Sequence, residues 1–282
     1  MIGFINVNKP KGLTSAQVVN RVKKLLNLDR ATKVGHTGTL DPLALGVLPI
    51  AIGKATKLFD FMLSKTKEYE AEFTFGYETD SLDSAGKVVA KCEKIPTKQE
   101  IEEKLTSFTG EISQIPPLFS AKSVNGVRAY TLARKGKLVN LKPSVVEVVK
   151  FELIGEVDSK TFRFKIECGS GTYIRSLCRD LAYSLRTYAT MTSLIRTRVG
   201  VFDLNNSVLL DEVCPKNILP CEVVLTKLDD ITIDAPTLNR LKNGQRVEYR
   251  QIKSLFKVWC ENSLQGLGYV EGNNLKMKIW LS

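Results

Sequence analysis

Lys67-Glu68-Tyr69-Glu70-Ala71-Glu72-Phe73-Thr74-Phe75-Gly76-Tyr77 alternates without a break. Tyr69, Ala71, Phe73, Phe75 and Tyr77 share one side, and Glu68, Glu70, Glu72 and Thr74 share the other. A two-residue period with aromatic residues on one side is the pattern of a strand with one buried face. A second such strand follows at Thr161–Cys168, with Phe162, Phe164, Ile166 and Cys168 inward. Gly169-Ser170-Gly171-Thr172 then turns the chain into a helix predicted over 173–186. Its apolar stripe is Ile174, Leu177, Leu181 and Leu185, with Arg175, Arg179 and Arg186 on the other face. Upstream, Thr14 and Gln17 form a capping box for a helix over 15–26 carrying Val18, Val22, Leu25 and Leu26. Thr97 and Glu100 cap a short helix with Ile101, Leu105 and Phe108. Strands and helices mix without βαβ alternation, which predicts an α+β fold on a mixed sheet. From about residue 233 the pattern changes. A helix-like segment ends at Gly244, and strands are expected near 246–250, 255–261, 267–271 and 275–281, with Asn/Gly turns between. A large α+β domain over 1–232 and a small β-rich domain over 233–282 are therefore expected.

Of 282 residues, 43% are hydrophobic and 25% charged, which excludes wholesale disorder. The 41 Lys+Arg outnumber 30 Asp+Glu, and the net charge of +11 points to a polyanionic partner, most often nucleic acid. No apolar run reaches the ~18 residues of a spanning helix, and the first residues lack the layout of a signal peptide. A cytoplasmic protein that does not engage a membrane is expected. Six cysteines without a CxxC, and a single histidine, argue against a zinc cage, disulfides and two-histidine acid–base chemistry. No Walker A motif, G-x-S-x-G elbow or deaminase signature occurs. The excess charge is concentrated. Residues 1–57 carry nine Lys/Arg against Asp29 and Asp41, and residues 112–146 carry six Lys/Arg and no acid. With Pro116-Pro117, Gly126 and Gly136, the second window reads as a basic excursion between strands, suited to phosphates.

Asp41 stands in that positive stretch, in Gly35-His36-Thr37-Gly38-Thr39-Leu40-Asp41-Pro42-Leu43-Ala44. An aspartate before proline is a common turn or cap residue. In a basic setting a carboxylate also stays ionised and available as a nucleophile. The two glycines let backbone approach a ligand closely. Their spacing also fits the G-x-x-G loop of KH domains, a binding-only alternative; an RNA methyltransferase is a further alternative, although no Gly-rich strand–helix turn for a methyl donor is found.

The loop closely resembles the signature of TruB-type tRNA pseudouridine synthases, and further segments in the same order extend the likeness over about residues 5–202. Asn8-Lys9-Pro10-Lys11-Gly12 resembles their lysine–proline motif, and Lys67-Glu68-Tyr69-Glu70-Ala71 their tyrosine strand. Gly171-Thr172-Tyr173-Ile174-Arg175 resembles their arginine motif, and Leu194-Ile195-Arg196-Thr197 their leucine–arginine pair. Pro116-Pro117, Ser120-Ala121 and Tyr130-Thr131-Leu132-Ala133-Arg134 resemble the intervening RNA-gripping segment. The resemblance implies a pseudouridine synthase fold with a small C-terminal PUA-like domain. It also implies cofactor- and metal-free isomerisation of T-loop uridine 55 in tRNA, by a monomer needing no protein partner. Asp41 would be the essential nucleophile and Arg175 its ion-pair partner. Tyr69 would stack on the flipped uracil or relay a proton, and Tyr173 and Leu194 would close the pocket and offer backbone groups to the base. His36 would fill the space the base vacates. Lys9, Lys122, Arg128, Arg134 and Arg196 would contact RNA.

Charge placement alone generates one expectation. RNA binding should fall steeply with salt, by about 0.7–0.9 log units per tenfold in salt for each phosphate neutralised. Replacing Lys122, Arg128 and Arg134 with Ala should flatten that slope and leave the rate at saturating RNA within a few-fold. Equal slopes for variant and parent in a salt titration would show that these charges face solvent.

Overall fold

The structure is a computed structural model that describes residues 1–63, 66–120, 122–124, 127–128, 141–249 and 255–282. In the first half, β1 (Gly3–Lys9), α1 (Ser15–Leu25), β2 (Val34–His36) and β3 (Leu45–Ile52) precede α2 (Phe59–Leu63). Then come β4 (Lys67–Phe75), β5 (Tyr77–Thr79), β6 (Val88–Lys91), α3 (Lys98–Leu105) and β7 (Gly110–Gln114). Two short strands, β8 (Ser123–Val124) and β9 (Val127–Arg128), pair with each other. They precede β10 (Ser144–Asp158), β11 (Thr161–Cys168), α4 (Ile174–Ser184), β12 (Ala189–Val199), β13 (Phe202–Asp203) and β14 (Val208–Leu209). The main sheet runs β14-β1-β3-β12-β4-β11-β10-β7, with β2 beside β3 and β13 beside β12. β1–β14 and β3–β12 are parallel pairs among antiparallel ones, so the sheet is mixed as expected.

The alternation in β4 does what its sequence requires. Lys67, Tyr69, Ala71, Phe73 and Phe75 are buried and the residues between them half-buried. Pairing of Phe164 with Ala71 and Phe162 with Phe73 brings the inward faces of β4 and β11 into one core. Both expected capping boxes are present, Thr14 with Gln17 and Thr97 with Glu100. α1 and α4 cover one face of the sheet through Val18, Val22, Leu177 and Leu181. On the other face Phe4, Val47 and Ala51 pack with Leu267 and Leu281 of the C-terminal segment.

That segment is β-rich: β15 (Asp229–Thr232), β16 (Phe256–Cys260), β17 (Ser263–Glu271) and β18 (Asn274–Trp280) form a sheet in that order, with α5 (Ala235–Lys242) alongside. Its first strand lies ahead of residue 233, because Ile231 joins the apolar cluster of Phe256 and Val258. Among the described residues of 246–250 there is a bridge, Glu248 to Asn274, rather than a strand. The basic window 112–146 also starts and ends differently from the reading above. Its ends are sheet, with Gln114 paired to Ser144 and Ile112 to Val146, so the excursion begins after Gln114 and closes before Ser144. Residues 129–140, Arg134 among them, lie outside the described residues, as does Arg250.

β3 and β12 meet where Gly46 faces Arg196, and Gly46 adopts φ +99°. A Cβ there would sit 2.3 Å from the Arg196 carbonyl oxygen, so the contact depends on glycine twice over. Gly46→Ala should lower unfolding free energy by about 2 kcal/mol or more in urea denaturation; an unchanged midpoint would disprove this close approach.

Candidate active site

The loop from β2 to β3 is pinned on three sides. Ser15, the first residue of α1, accepts from Leu40 N at 2.8 Å and donates to Leu40 O at 2.9 Å. Gly12 N donates to Pro42 O at 2.7 Å. At the end of β1 the Lys9 ammonium donates to the carbonyls of Pro10, Pro42 and Ala44, the last at 2.6 Å. These bonds fix the backbone on both sides of Asp41. Lys9 was expected to contact RNA, but the structure corrects that: the residue is fully buried and all three donors are spent on carbonyls. Burial pulls its pKa down to about 8, against the pull of Asp41, while Arg196 adds to the lowering.

Asp41 reaches a cavity of about 360 Å³ whose wall also includes Lys67, Tyr69, Ser120, Tyr173, Arg175, Leu194 and Arg196. Arg175, on the first turn of α4, is only 5% exposed rather than on a solvent face. Its Nη2 lies 2.9 Å from Asp41 Oδ2 and its Nη1 3.6 Å from Asp83 Oδ2. The same guanidinium donates to Ser81 O and Phe119 O, each at 2.9 Å. Four partners satisfy its fork, as a buried charge requires. A third of the Asp41 side chain stays open to the cavity. Burial pushes the Asp41 carboxyl above the ordinary carboxylate range; Arg175 and Lys9 oppose the push and Asp83 adds to it.

Tyr69 is buried and its phenol is pushed up to about 12, by burial first, against Arg196. It therefore stays protonated at neutral pH, an apolar face with a hydroxyl tip. Across the β4–β12 pair Tyr69 faces Arg196, and Leu194, opposite Ala71, lines the same cavity. Tyr173 lines the cavity, but its backbone is not free for a base as expected: its N–H donates to Gln114 Oε1 at 2.8 Å and its carbonyl accepts from Gln114 Nε2 and Leu177 N. Arg196 also departs from its expected role. It is 1% exposed and donates to Val47 O and Gly38 O, so it braces the loop from inside instead of meeting phosphates. His36 sits in β2, off the cavity wall, with its pKa lowered by burial and by Arg196. Lys122 is half-buried, and Arg128 is placed only as part of β9. Among the described residues no group of His, Cys, Asp and Glu is arranged to hold a metal, and no helix is long and apolar enough to cross a membrane.

Three contributors went unread in the sequence. Asp83, in Thr79-Asp80-Ser81-Leu82-Asp83-Ser84, has the composition of a turn, and only the fold brings it to Arg175. Gln114 is the last residue of β7, buried among exposed and half-buried neighbours in that strand. Lys67 shares the inward face with Tyr69, a position the alternation did reveal; its ammonium donates to Ser170 Oγ at 3.0 Å and burial lowers its pKa.

A mixed sheet carrying a buried Arg–Asp pair beside a nucleoside-sized cavity is the architecture of a pseudouridine synthase. A structure of a Cbf5–Nop10–Gar1 complex superposes with a TM-score of 0.72 at 26% identity, covering 99% of this chain and 85% of that one. The N-terminal-domain model of the TruB family pseudouridylate synthases matches residues 23–174, and the C-terminal-domain model of tRNA pseudouridylate synthase B matches 175–225. A tRNA pseudouridine synthase B of Clostridium tetani is 41% identical over 280 residues, 95% of each chain. That of Borrelia garinii is 40% identical, over 96% of this chain and 95% of its own. The chain belongs to the TruB family of pseudouridylate synthases. The second family model ends within the segment that follows β14, so it describes α4 and β12 rather than the small sheet.

Lys9 provides a test of the loop. Because its folded pKa lies below that of an unfolded lysine, the unfolded state binds more protons between about pH 8 and 10.5, and Lys9 adds stability as pH rises through that window. The stability lost in Lys9→Met should therefore be greater at pH 10 than at pH 7. A loss independent of pH would place the ammonium in water.

Proposed function

We propose that this chain converts uridine 55 in the T-loop of tRNA to pseudouridine, with Asp41 as nucleophile. The observation that carries the proposal is the Arg175–Asp41 pair, 2.9 Å apart at the wall of a cavity of about 360 Å³. A space of that size suits one nucleotide taken out of its stack, not a duplex. tRNA as the substrate is supported by the names of relatives near 40% identity and by the concentration of positive charge in residues 1–57 and 112–146.

The N1–C1′ bond breaks, the uracil turns within the pocket, and C5 bonds to C1′. The proton leaves C5 and N1 gains one, so the product is an isomer and no cofactor is consumed. Asp41 supplies the electron pair that tides the sugar or the ring over the cleavage and is released at the end. Arg175 fixes the direction of its open oxygen. Tyr69 offers a flat apolar face to the turning base, which offsets part of the few kcal/mol spent on extrusion. Leu194 closes the far side. The enzyme acts in the cytoplasm as a monomer, and its small C-terminal sheet adds RNA-contacting surface.

Asp41→Asn should abolish pseudouridine in chemical mapping of a T-arm stem-loop while RNA affinity stays within a few-fold. Turnover close to the parent would remove catalysis from this loop, and RNA bound with every uridine unchanged by the parent would make the chain a binding module. The reactive form of Asp41 is ionised, so the rate falls as pH drops through its raised pKa. Asp83→Asn removes a charge that raises it, and the acidic limb of the pH–rate profile should move to lower pH. A shift to higher pH would show that Asp83 acts mainly by holding Arg175.

A further inference from the structure

Ser120 is 4% exposed, lines the cavity, and its hydroxyl has no hydrogen-bond partner among the described residues. A buried hydroxyl left unmatched destabilises the folded protein unless a ligand meets it. Its placement is not loose. α4 holds the preceding segment by three side chains: Ser176 and Arg179 donate to Ile115 O, and Arg175 donates to Phe119 O. The nitrogen that grips Phe119 O is Arg175 Nη2, the same atom that pairs with Asp41. Two successive 2.9 Å contacts thus join Asp41 to the carbonyl that leads directly into Ser120.

Resting on the reading of Asp41 as nucleophile, we propose that Ser120 Oγ hydrogen-bonds the ribose 2′-hydroxyl of the extruded nucleotide and so distinguishes RNA from DNA at the target position. Whether Asp41 addresses C1′ or the ring carbon next to N1, the sugar C1′ lies at the reacting end of the cavity, and the 2′-oxygen is two bonds from C1′. A serine hydroxyl both donates and accepts, which matches a group that does the same. The 2′-hydroxyl is the group by which a protein tells the two nucleic acids apart at one site.

The test is a binding cycle in the Asp41→Asn background, so that turnover does not enter. T-arm stem-loops carrying uridine or 2′-deoxyuridine at the target are titrated against proteins with Ser120 or Ser120→Ala. Loss of one neutral hydrogen bond should weaken binding roughly five- to tenfold. Either change alone should do so, and the two together should be no worse than one. Independent, multiplying losses overturn the proposal, as does a Ser120→Ala effect equal on both RNAs, which would assign the hydroxyl to the base, or no effect, which would assign it to water. Ser120→Ala should melt no lower than its parent, because it removes an unmatched group; a clear fall in Tm would mark a structural role instead. Failure of the functional reading is separate: the parent with intact Asp41 would then leave uridine unchanged, and this inference would fall with it.

Discussion

One guanidinium holds the site together. Arg175 touches the loop after β2 through Asp41, the β5–β6 connection through Ser81 and Asp83, and the segment after β7 through Phe119. Those three stretches are far apart in sequence and share no strand pairing with one another. A buried Arg bound to four acceptors is costly to break, because each partner would be left unmatched in a low-dielectric setting. The scaffold exists to bring that residue there: α4 starts where β11 ends, and β11 is the strand whose inward faces pack against β4.

The same arrangement sets the electrostatics. Two carboxylates flank a single guanidinium, and the one open to the cavity is the one whose pKa burial raises. Lys9 and Arg196 are spent on backbone carbonyls of the loop, so their charges shape the field without offering a hand to substrate. The positive charge available to RNA phosphates must therefore come from elsewhere on the surface, while the interior cations give the loop its shape.

Much of the fold was legible because local rules and tertiary packing agreed. The alternation of β4 and β11 and the two capping boxes each have one physical cause and appear where that cause puts them. Asp41, Arg175, Tyr69 and Leu194 were legible by resemblance and are brought together by the fold. What failed did so for a shared reason. Lys9 and Arg196 were expected at RNA because their motifs resemble the family's, and no local pattern reveals that three or two carbonyls wait for them. Tyr173 read as a source of free backbone groups because Gln114, which occupies them, is 59 residues away. Asp83 carries no local sign of its role, which comes only from a contact 92 residues on.

Asp41 is a half-buried, Arg-paired carboxylate whose pKa is raised despite its cation. That state is tested most directly by following the Asp41 side-chain carboxyl by carbon NMR through a pH titration of the parent and of Arg175→Gln. The account requires a midpoint above that of an ordinary aspartate in the parent and a further rise when the guanidinium is removed. A midpoint at or below the ordinary value, or one that Arg175→Gln leaves unchanged, would contradict it.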